Sequence, residues 1–422
     1  MSETGHDAGH DLGHDRGLGL SPLRRLLLFA LLMGAGVLNY ADRQIIAVLK
    51  PMLQGELGWS DSQYGFLASV FQFAAACAYL GAGWFIDRIG WRRANAVAVG
   101  SWSLAALSHA FARTLSQFTA ARVALGATEA MGTPVTIKTV AVFFEAKQRS
   151  LALSLVNVAN NLGAIVTPLA LPLFALRFGW AASFLAVGAL GLIWTVAWLA
   201  LAGWRGEGAG SPSTAAQEHA KWSEVLADRR TWAIAGAKAL FDHVWWVLLF
   251  WTPDLLHRIF HLDMRSYGAP VAAIYAIGAV GSLCGGYASS RLIAKGMGPV
   301  RARKLVMLAC ALAVLPAPLV LQAGSVWAAV GLLGLTLGAH QGFSINLFAL
   351  STDIVPGRQL ATVTSIASLF GNISGMVMLQ ATGLLVQAGW GYAPILFTTS
   401  VSYLCALGFL QAVSGRAGFA SA

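Results

Sequence analysis

The 422-residue chain is 57% hydrophobic and only 11% charged, and it carries 46 glycines and 15 tryptophans. A soluble protein of this size carries about 25% charged residues, so a water-soluble globule is excluded. The net charge of +10 fits basic loops spread along a membrane protein better than a nucleic-acid-binding patch, and no nucleic-acid partner is expected.

In chain order, residues 1–22 are polar and read as a disordered tail, with no cleavable signal sequence. GHD occurs there three times, which spaces His6, His10 and His14 four apart. Four-residue spacing suits metal chelation on a helix, but the repeated glycines oppose that helix. A bilayer-crossing helix needs about 20 apolar residues. Read at that length, the chain has twelve spans, at 23–52, 64–86, 94–112, 116–143, 150–175, 180–202, 232–256, 268–293, 303–322, 326–350, 360–386 and 391–412. The expected fold is an all-α membrane protein with two six-helix bundles, 23–203 and 232–413. A polar linker, 204–231, joins them, and a short tail, 414–422, follows.

Orientation follows from basic residues, which favour the cytoplasmic side. The termini and the loops after even-numbered spans hold most of them, including Arg88, Arg92, Arg93, Arg229, Arg230, Arg301, Arg303 and Lys304. The opposite loops hold Lys50, Arg113, Arg177, Arg258 and Arg265. Both termini are therefore expected in the cytoplasm. Cys77, Cys284, Cys310 and Cys405 lie in apolar segments without CxxC spacing and read as buried free thiols. Span 2 ends in GAGWFIDRIGWRR (81–93) and span 8 in GGYASSRLIAKG (285–296). This weak echo between the halves suits the repeats of alternating-access carriers.

Ionisable side chains at membrane depth are costly and mark function. Here they are Asp42, Arg43, Arg122, Glu129, Lys138, Lys238 and Asp242, with His243 and His340 beside them. Four cations against three acids suggest a cavity with surplus positive charge, suited to an anion. Lys238 and Asp242 are four apart on one helix face and read equally as a static pair. Asp42 and Arg43, in NYADRQ (39–44), point about 100° apart on a helix, so Arg43 need not be the partner of Asp42. Arg122 and Glu129 share a face, and an acid that makes and breaks such a pair can carry a proton. Asn157, Asn160 and Asn161 offer amides for hydroxyl groups. Trp245 and Trp246 read as sugar-stacking rings or as interfacial anchors. His340, Gln341, Asn346 and Asn372 add polar groups in spans 10 and 11. In GWFIDRIGWRR, Gly83 is expected to allow close helix contact and Asp87 to meet a neighbouring helix N-terminus, with Arg88 and Arg92 at the leaflet surface.

These residues resemble a known family, the anion:cation symporter group of the major facilitator superfamily, and within it the hexuronate transporters. The likeness rests on LNYADRQ (38–44), GWFIDRIG (83–90), RVALGATEA (122–130), IKTVAVFFEAKQRSLA (137–152), NVANNLGAIVTPLALP (157–172), DHVWWVLLFWTP (242–253) and AHQGFSINLFALSTDIVP (339–356). The resemblance implies that Asp42 and Glu129 are proton-linked and that Arg122 pairs with the acids. It implies that Arg43 binds a carboxylate, and that Tyr40 with an amide near Asn160 or Asn161 contacts hydroxyls. It makes Gly83, Asp87, Arg88, Gly90 and Arg92 a gate motif. The chain departs from the family at Glu145, where span 4 exits as VFFE, at Ala75, where a tyrosine is common, and at the doubled Asn160-Asn161.

The resulting expectation is a monomeric, proton-coupled symporter of a bacterial inner membrane. It would import an organic anion, a hexuronate or related sugar acid, and would be no enzyme, with neither cofactor nor metal. Other organic anions (aldonates, aldarates, aromatic acids) and a proton-driven efflux antiporter are the alternatives, and a transport-inactive nutrient sensor is disfavoured by the short final tail.

Overall fold

The computed structural model describes residues 21–144, 146–203 and 222–414. The GHD repeats, Glu145, most of the expected linker and the last residues lie outside them. Among the described residues every regular element is helical: α1 (Pro22–Val48), α2 (Lys50–Leu57), α3 (Asp61–His109), α4 (Leu115–Glu129), α5 (Gly132–Phe143), α6 (Ala146–Phe178), α7 (Trp180–Ala202), α8 (Trp222–Ala227), α9 (Arg229–Phe241), α10 (His243–Phe260), α11 (Gly268–Ala294), α12 (Pro299–Val314), the 3-10 turn η1 (Ala317–Gln322), α13 (Val326–Ile354), α14 (Gly357–Gln387) and α15 (Ala393–Ser414). Ten helical stretches among them are long and apolar enough to cross a bilayer.

The boundaries have local causes. Ser60 and Gln63 form a reciprocal capping box at the start of α3, with bonds of 2.9 and 3.2 Å. Thr114 and Gln117 repeat it at the start of α4. Each box satisfies two of the amides that a helix start leaves open. α3 runs 49 residues, about 74 Å at the helical rise, more than twice the hydrocarbon core of about 30 Å. It is divided at Gly90, where φ is 78° and ψ is 159°, a conformation closed to residues with a Cβ.

Several expected spans are interrupted. The 116–143 span breaks at Ala130–Met131 into α4 and α5, and the seventh breaks at Asp242 into α9 and α10. The ninth ends in η1 after Pro316, because proline cannot continue the helical ladder. Lys50 does not lie in an exposed loop. It begins α2 and its side chain is fully buried.

Helices α1 and α3–α7 pack among themselves, as do α9–α15, and three seams join the groups: α3 on α14, α6 on α11 and α1 on α10. Small residues set the closest approaches, as in other helical membrane proteins. A Cβ on Gly281 would lie 2.2 Å from Gly338 Cα, and one on Gly65 only 2.8 Å from the Leu379 carbonyl across the α3–α14 seam. In α6, Pro172 has no N–H for the Pro168 carbonyl, and that carbonyl faces Gly268 of α11, where a Cβ would come within 2.4 Å. The outer surface is apolar, with Leu80, Leu283 and Val196 among the exposed side chains. The cysteines are free, but Cys77, Cys284 and Cys405 are exposed and Cys310 half-buried. They were expected buried; on a surface this apolar an exposed thiol carries no desolvation conflict.

Among the described residues, several polar contacts that cross between the groups gather at one end. Tyr64 donates to the Phe250 carbonyl (2.7 Å) and Ser69 to the Met376 carbonyl (2.8 Å). Tyr267 donates to the Val48 carbonyl, and Gln387 accepts from the Ser62 amide (3.0 Å). Toward the other end, Arg24 with the Leu201 carbonyl, Lys138 with Asp87 and Arg303 with Asp353 each stay within one group.

Candidate functional site

Where α1 meets α3, α4 and α10, ionisable and aromatic side chains converge. Arg43 Nε donates to Glu129 Oε2 at 2.7 Å, with the carboxylate side chain fully buried. The guanidinium lies 5.9 Å from the Tyr40 ring centre and 6.0 Å from those of Phe71 and Trp246. A cation among aromatic faces is held by their quadrupoles. Arg122 is fully buried beside Phe71, 5.9 Å from its ring centre. Among the described residues none of its guanidinium nitrogens has a hydrogen-bond partner. The same holds for Asp42 Oδ1, Glu129 Oε1 and both amide atoms of Gln72. A buried polar atom left without a partner costs about 1–3 kcal/mol, and this concentration on α1, α3 and α4 makes the cluster the candidate site.

The pairing differs from the expected one. Glu129 holds Arg43, and among the described residues no ion pair joins Asp42 to Arg122. Arg122 and Glu129 stand seven residues apart, about 10 Å along the helix; that offset puts the glutamate opposite Arg43 and the arginine beside Phe71 instead. The expected surplus of cations also disappears. Lys138 bonds Asp87 (3.0 Å) and the Ile86 carbonyl (3.1 Å) at the Gly90 turn. Arg43, Arg122 and Lys238 then balance Asp42, Glu129 and Asp242. Lys238 and Asp242 do form the i,i+4 pair, at 2.7 Å.

The second helix group supplies an aromatic wall. Trp245 meets Tyr40 edge-on at 6.3 Å and Tyr275 at 6.4 Å, and it stacks on His340 at 5.9 Å with a 22° tilt. His340 Nδ1 lies 2.8 Å from the Tyr403 hydroxyl. Trp245 is thus an interior wall, not an interfacial anchor. Trp246 is buried, and a Cβ on Gly375 would lie 2.3 Å from it. Asn160 reaches α1: a Cβ on Gly36 would fall 2.0 Å from its Oδ1. Asn161 is half-buried and Asn157 exposed on the same helix, and Gln341 is half-buried next to His340.

Other expected residues do not join the cluster. Asn346 Nδ2 donates to the Gly342 (2.8 Å) and Gly285 (3.1 Å) carbonyls, bracing α13 to α11. Asn372 donates to the Ser368 carbonyl in its own helix. In the gate motif, Gly90 makes the turn and Asp87 meets Lys138 rather than a helix N-terminus. Arg88 and Arg92 lie over Trp84 and Trp91. Gly83 is not a contact point, since a Cβ there meets nothing within 4 Å. Sequence reasoning missed Phe71, Gln72, Tyr275 and Tyr403, which look like ordinary apolar or interfacial residues until the helices are packed. It also missed Tyr79, which lies within electrostatic reach of Arg43 and Tyr40. Gln72 alone carried a signal, an amide within an apolar run.

A multi-span helical membrane protein with a charged, aromatic-walled interior is the architecture of a carrier. The model of the Major Facilitator Superfamily matches residues 32–379. The chain belongs to that superfamily, and it is a transporter, not an enzyme. It is 29% identical over 373 residues to a probable L-galactonate transporter of Escherichia coli K12, covering 85% of this chain and 82% of that one. It is 24% identical to the hexuronate transporter of the same strain, covering 86% and 88%. A crystal structure of a bacterial homologue of the human lysosomal transporter Spinster, inward-facing and occupied, shares the fold with a TM-score of 0.72 at 19% identity, covering 93% of this chain and 96% of that one.

Proposed function

We propose that this chain is a proton-coupled symporter that imports a sugar-acid anion, a hexuronate or an aldonate, by alternating access. The observation that carries the reading is the Arg43–Glu129 pair, with Asp42 and Arg122 buried beside it. A proton on Glu129 removes its charge and releases Arg43. The freed guanidinium, planar and rich in donors, then takes the substrate carboxylate. Asp42 is the second proton carrier, and Arg122 offsets whichever acid is ionised. Tyr40, Trp245 and His340 flank the sugar ring, and Asn160 and Asn161 take hydroxyl groups. The galactonate and hexuronate transport named for the two relatives supports the substrate class. Two arginines at the centre, Arg122 buried and Arg43 half-buried, fit an anion better than the amphipathic cargo of an efflux antiporter.

The same reading has twelve spans. Gly90 divides α3 into two, and α4 with α5 make one broken span. Two six-helix bundles, 23–203 and 232–413, flank the cytoplasmic stretch 204–231. Both termini lie in the cytoplasm of a bacterial cell whose inner membrane holds the monomer. The basic Gly90 turn then faces inward, and the end closed by Tyr64, Ser69 and Tyr267 faces outward. The conformation is inward-facing.

Uptake into proteoliposomes with an imposed pH gradient tests this, using hexuronates, aldonates, aldarates and aromatic acids. Gradient-driven accumulation of a sugar acid is expected. Absence of gradient-dependent uptake of every anion overturns the symporter reading, and uptake of aromatic acids alone overturns the substrate class.

A further inference from the structure

At the closed end four ionised side chains form a ring that alternates in sign and straddles the two helix groups. Lys50 and Asp61 come from the first group, at the starts of α2 and α3. Asp254 and Arg258 come from α10 in the second. Two contacts cross the seam: Lys50 Nζ to Asp254 Oδ1 at 2.7 Å and Arg258 to Asp61 Oδ1 at 2.6 Å. Two stay within a group: Lys50 to Asp61 at 2.9 Å and Arg258 to Asp254 at 2.8 Å, the latter an i,i+4 pair. The Lys50 side chain is fully buried, with its ammonium 4.3 Å from the centre of the Trp251 ring and 4.9 Å from that of Tyr64. Gln54 steadies Asp61 (3.1 Å), and the Tyr392 hydroxyl donates to Asp254.

We propose that this ring is a latch for the closed end, in which each charge keeps one of its two partners when the latch opens. When the groups part, the two crossing pairs break, while Lys50–Asp61 and Arg258–Asp254 move apart intact. The physical point is charge balance at the buried half of the ring, Lys50 and Asp254, since the Asp61 side chain is 13% and that of Arg258 40% exposed. A buried charge stripped of its partner is strongly unfavourable, and a latch built from a single crossing pair would strand two such charges on opening. Here every charge keeps a counter-ion in both states, so the energy difference between them stays small enough for a working cycle. The crossing pairs still favour closure and fix the register of the closed end. The proposal rests on the alternating-access reading.

The latch is read without substrate, from the distance between spin labels at Ser116 and Trp390, in a chain whose four cysteines have been replaced. Joint replacement Asp254→Asn with Arg258→Gln removes both crossing pairs and strands no charge. It is expected to raise the long-distance population about tenfold, equivalent to about 1.4 kcal/mol. Exchanging charges within the first group, Lys50→Asp with Asp61→Lys, keeps the inner pair and makes both crossing contacts repulsive, so it should open this end further. Adding the mirror exchange, Asp254→Arg with Arg258→Asp, restores attraction and should return the short distance. Arg303→Gln with Asp353→Asn, a pair within one group at the far end, should leave the distances unchanged. An unchanged distribution in the first two variants overturns the latch, as does failure of the fourfold exchange to restore the short distance. Uptake in the parent chain is scored separately: transport with a distance blind to the ring sinks only the latch, and distances that obey the ring without any anion uptake sink only the transport reading.

Discussion

Arg43 on α1 and Glu129 on α4 share a 2.7 Å contact that closes the first helix group across its polar centre. The pair is the switch of the proposed cycle, because one proton on the carboxylate abolishes the attraction. Glu129→Gln mimics the protonated state permanently. Proton-driven accumulation should fall to the level of passive equilibration, while substrate exchange across the membrane stays within about threefold of the parent, a change worth under 1 kcal/mol. Counterflow measured beside gradient-driven uptake separates the two; equal loss of both would make Glu129 structural.

Arg43→Lys keeps the charge and loses the planar fork. The KM for a sugar acid should rise at least about tenfold, the equivalent of about 1.4 kcal/mol, with little change in protein yield. Uptake kinetics over a substrate series check this, and an unaltered KM would remove Arg43 from the carboxylate.

Gly36→Ala sets a methyl group 2.0 Å from Asn160 Oδ1. That amide is the end of a side chain and can turn away, so the fold should survive. Affinity for hydroxylated anions should drop several-fold, while a carboxylate of similar size without hydroxyls should bind as before. Competition assays with paired hydroxylated and deoxy acids read the difference.

Asn346→Ala separates a brace from a ligand. The amide joins the Gly285 and Gly342 carbonyls, so its loss should destabilise the fold by about 1–3 kcal/mol and lower the thermal midpoint. KM should be unchanged. A raised KM with unchanged melting would return Asn346 to the substrate site.

Gly90→Ala forces a Cβ into a backbone region essentially reserved for glycine, at a cost of about 1–3 kcal/mol. A lower melting temperature and poorer recovery from the membrane are expected. Gly83→Ala, seven residues earlier in open space, should melt as the parent does.

Hydropathy and charge placement made the membrane class and most of the spans legible, since lipid imposes length and polarity on every crossing segment. NYADRQ and the Arg122–Glu129 spacing pointed to residues that do converge. What sequence did not show was who pairs with whom. Asp42 and Arg43 are adjacent in the chain, yet Glu129 lies within reach of only one of them, and that follows from how α1 sits against α4. Lys138 had the composition of a buried cation and proved to serve Asp87 at a turn. Lys50 and Asp254 were the converse, charges near span ends that look like loop residues until two distant segments meet.

The turn at Gly90 has no loop, because a single residue separates the two arms of α3. One arm seals against α14, and the other is tied to α5 by Asn95, whose amide donates to the Thr139 hydroxyl at 2.7 Å. An insertion of one residue after Gly90 would rotate the second arm by about 100° and swing Asn95 away from Thr139. This hairpin should therefore be among the least indel-tolerant points of the chain, and an unsuitable place for an epitope tag or a split site.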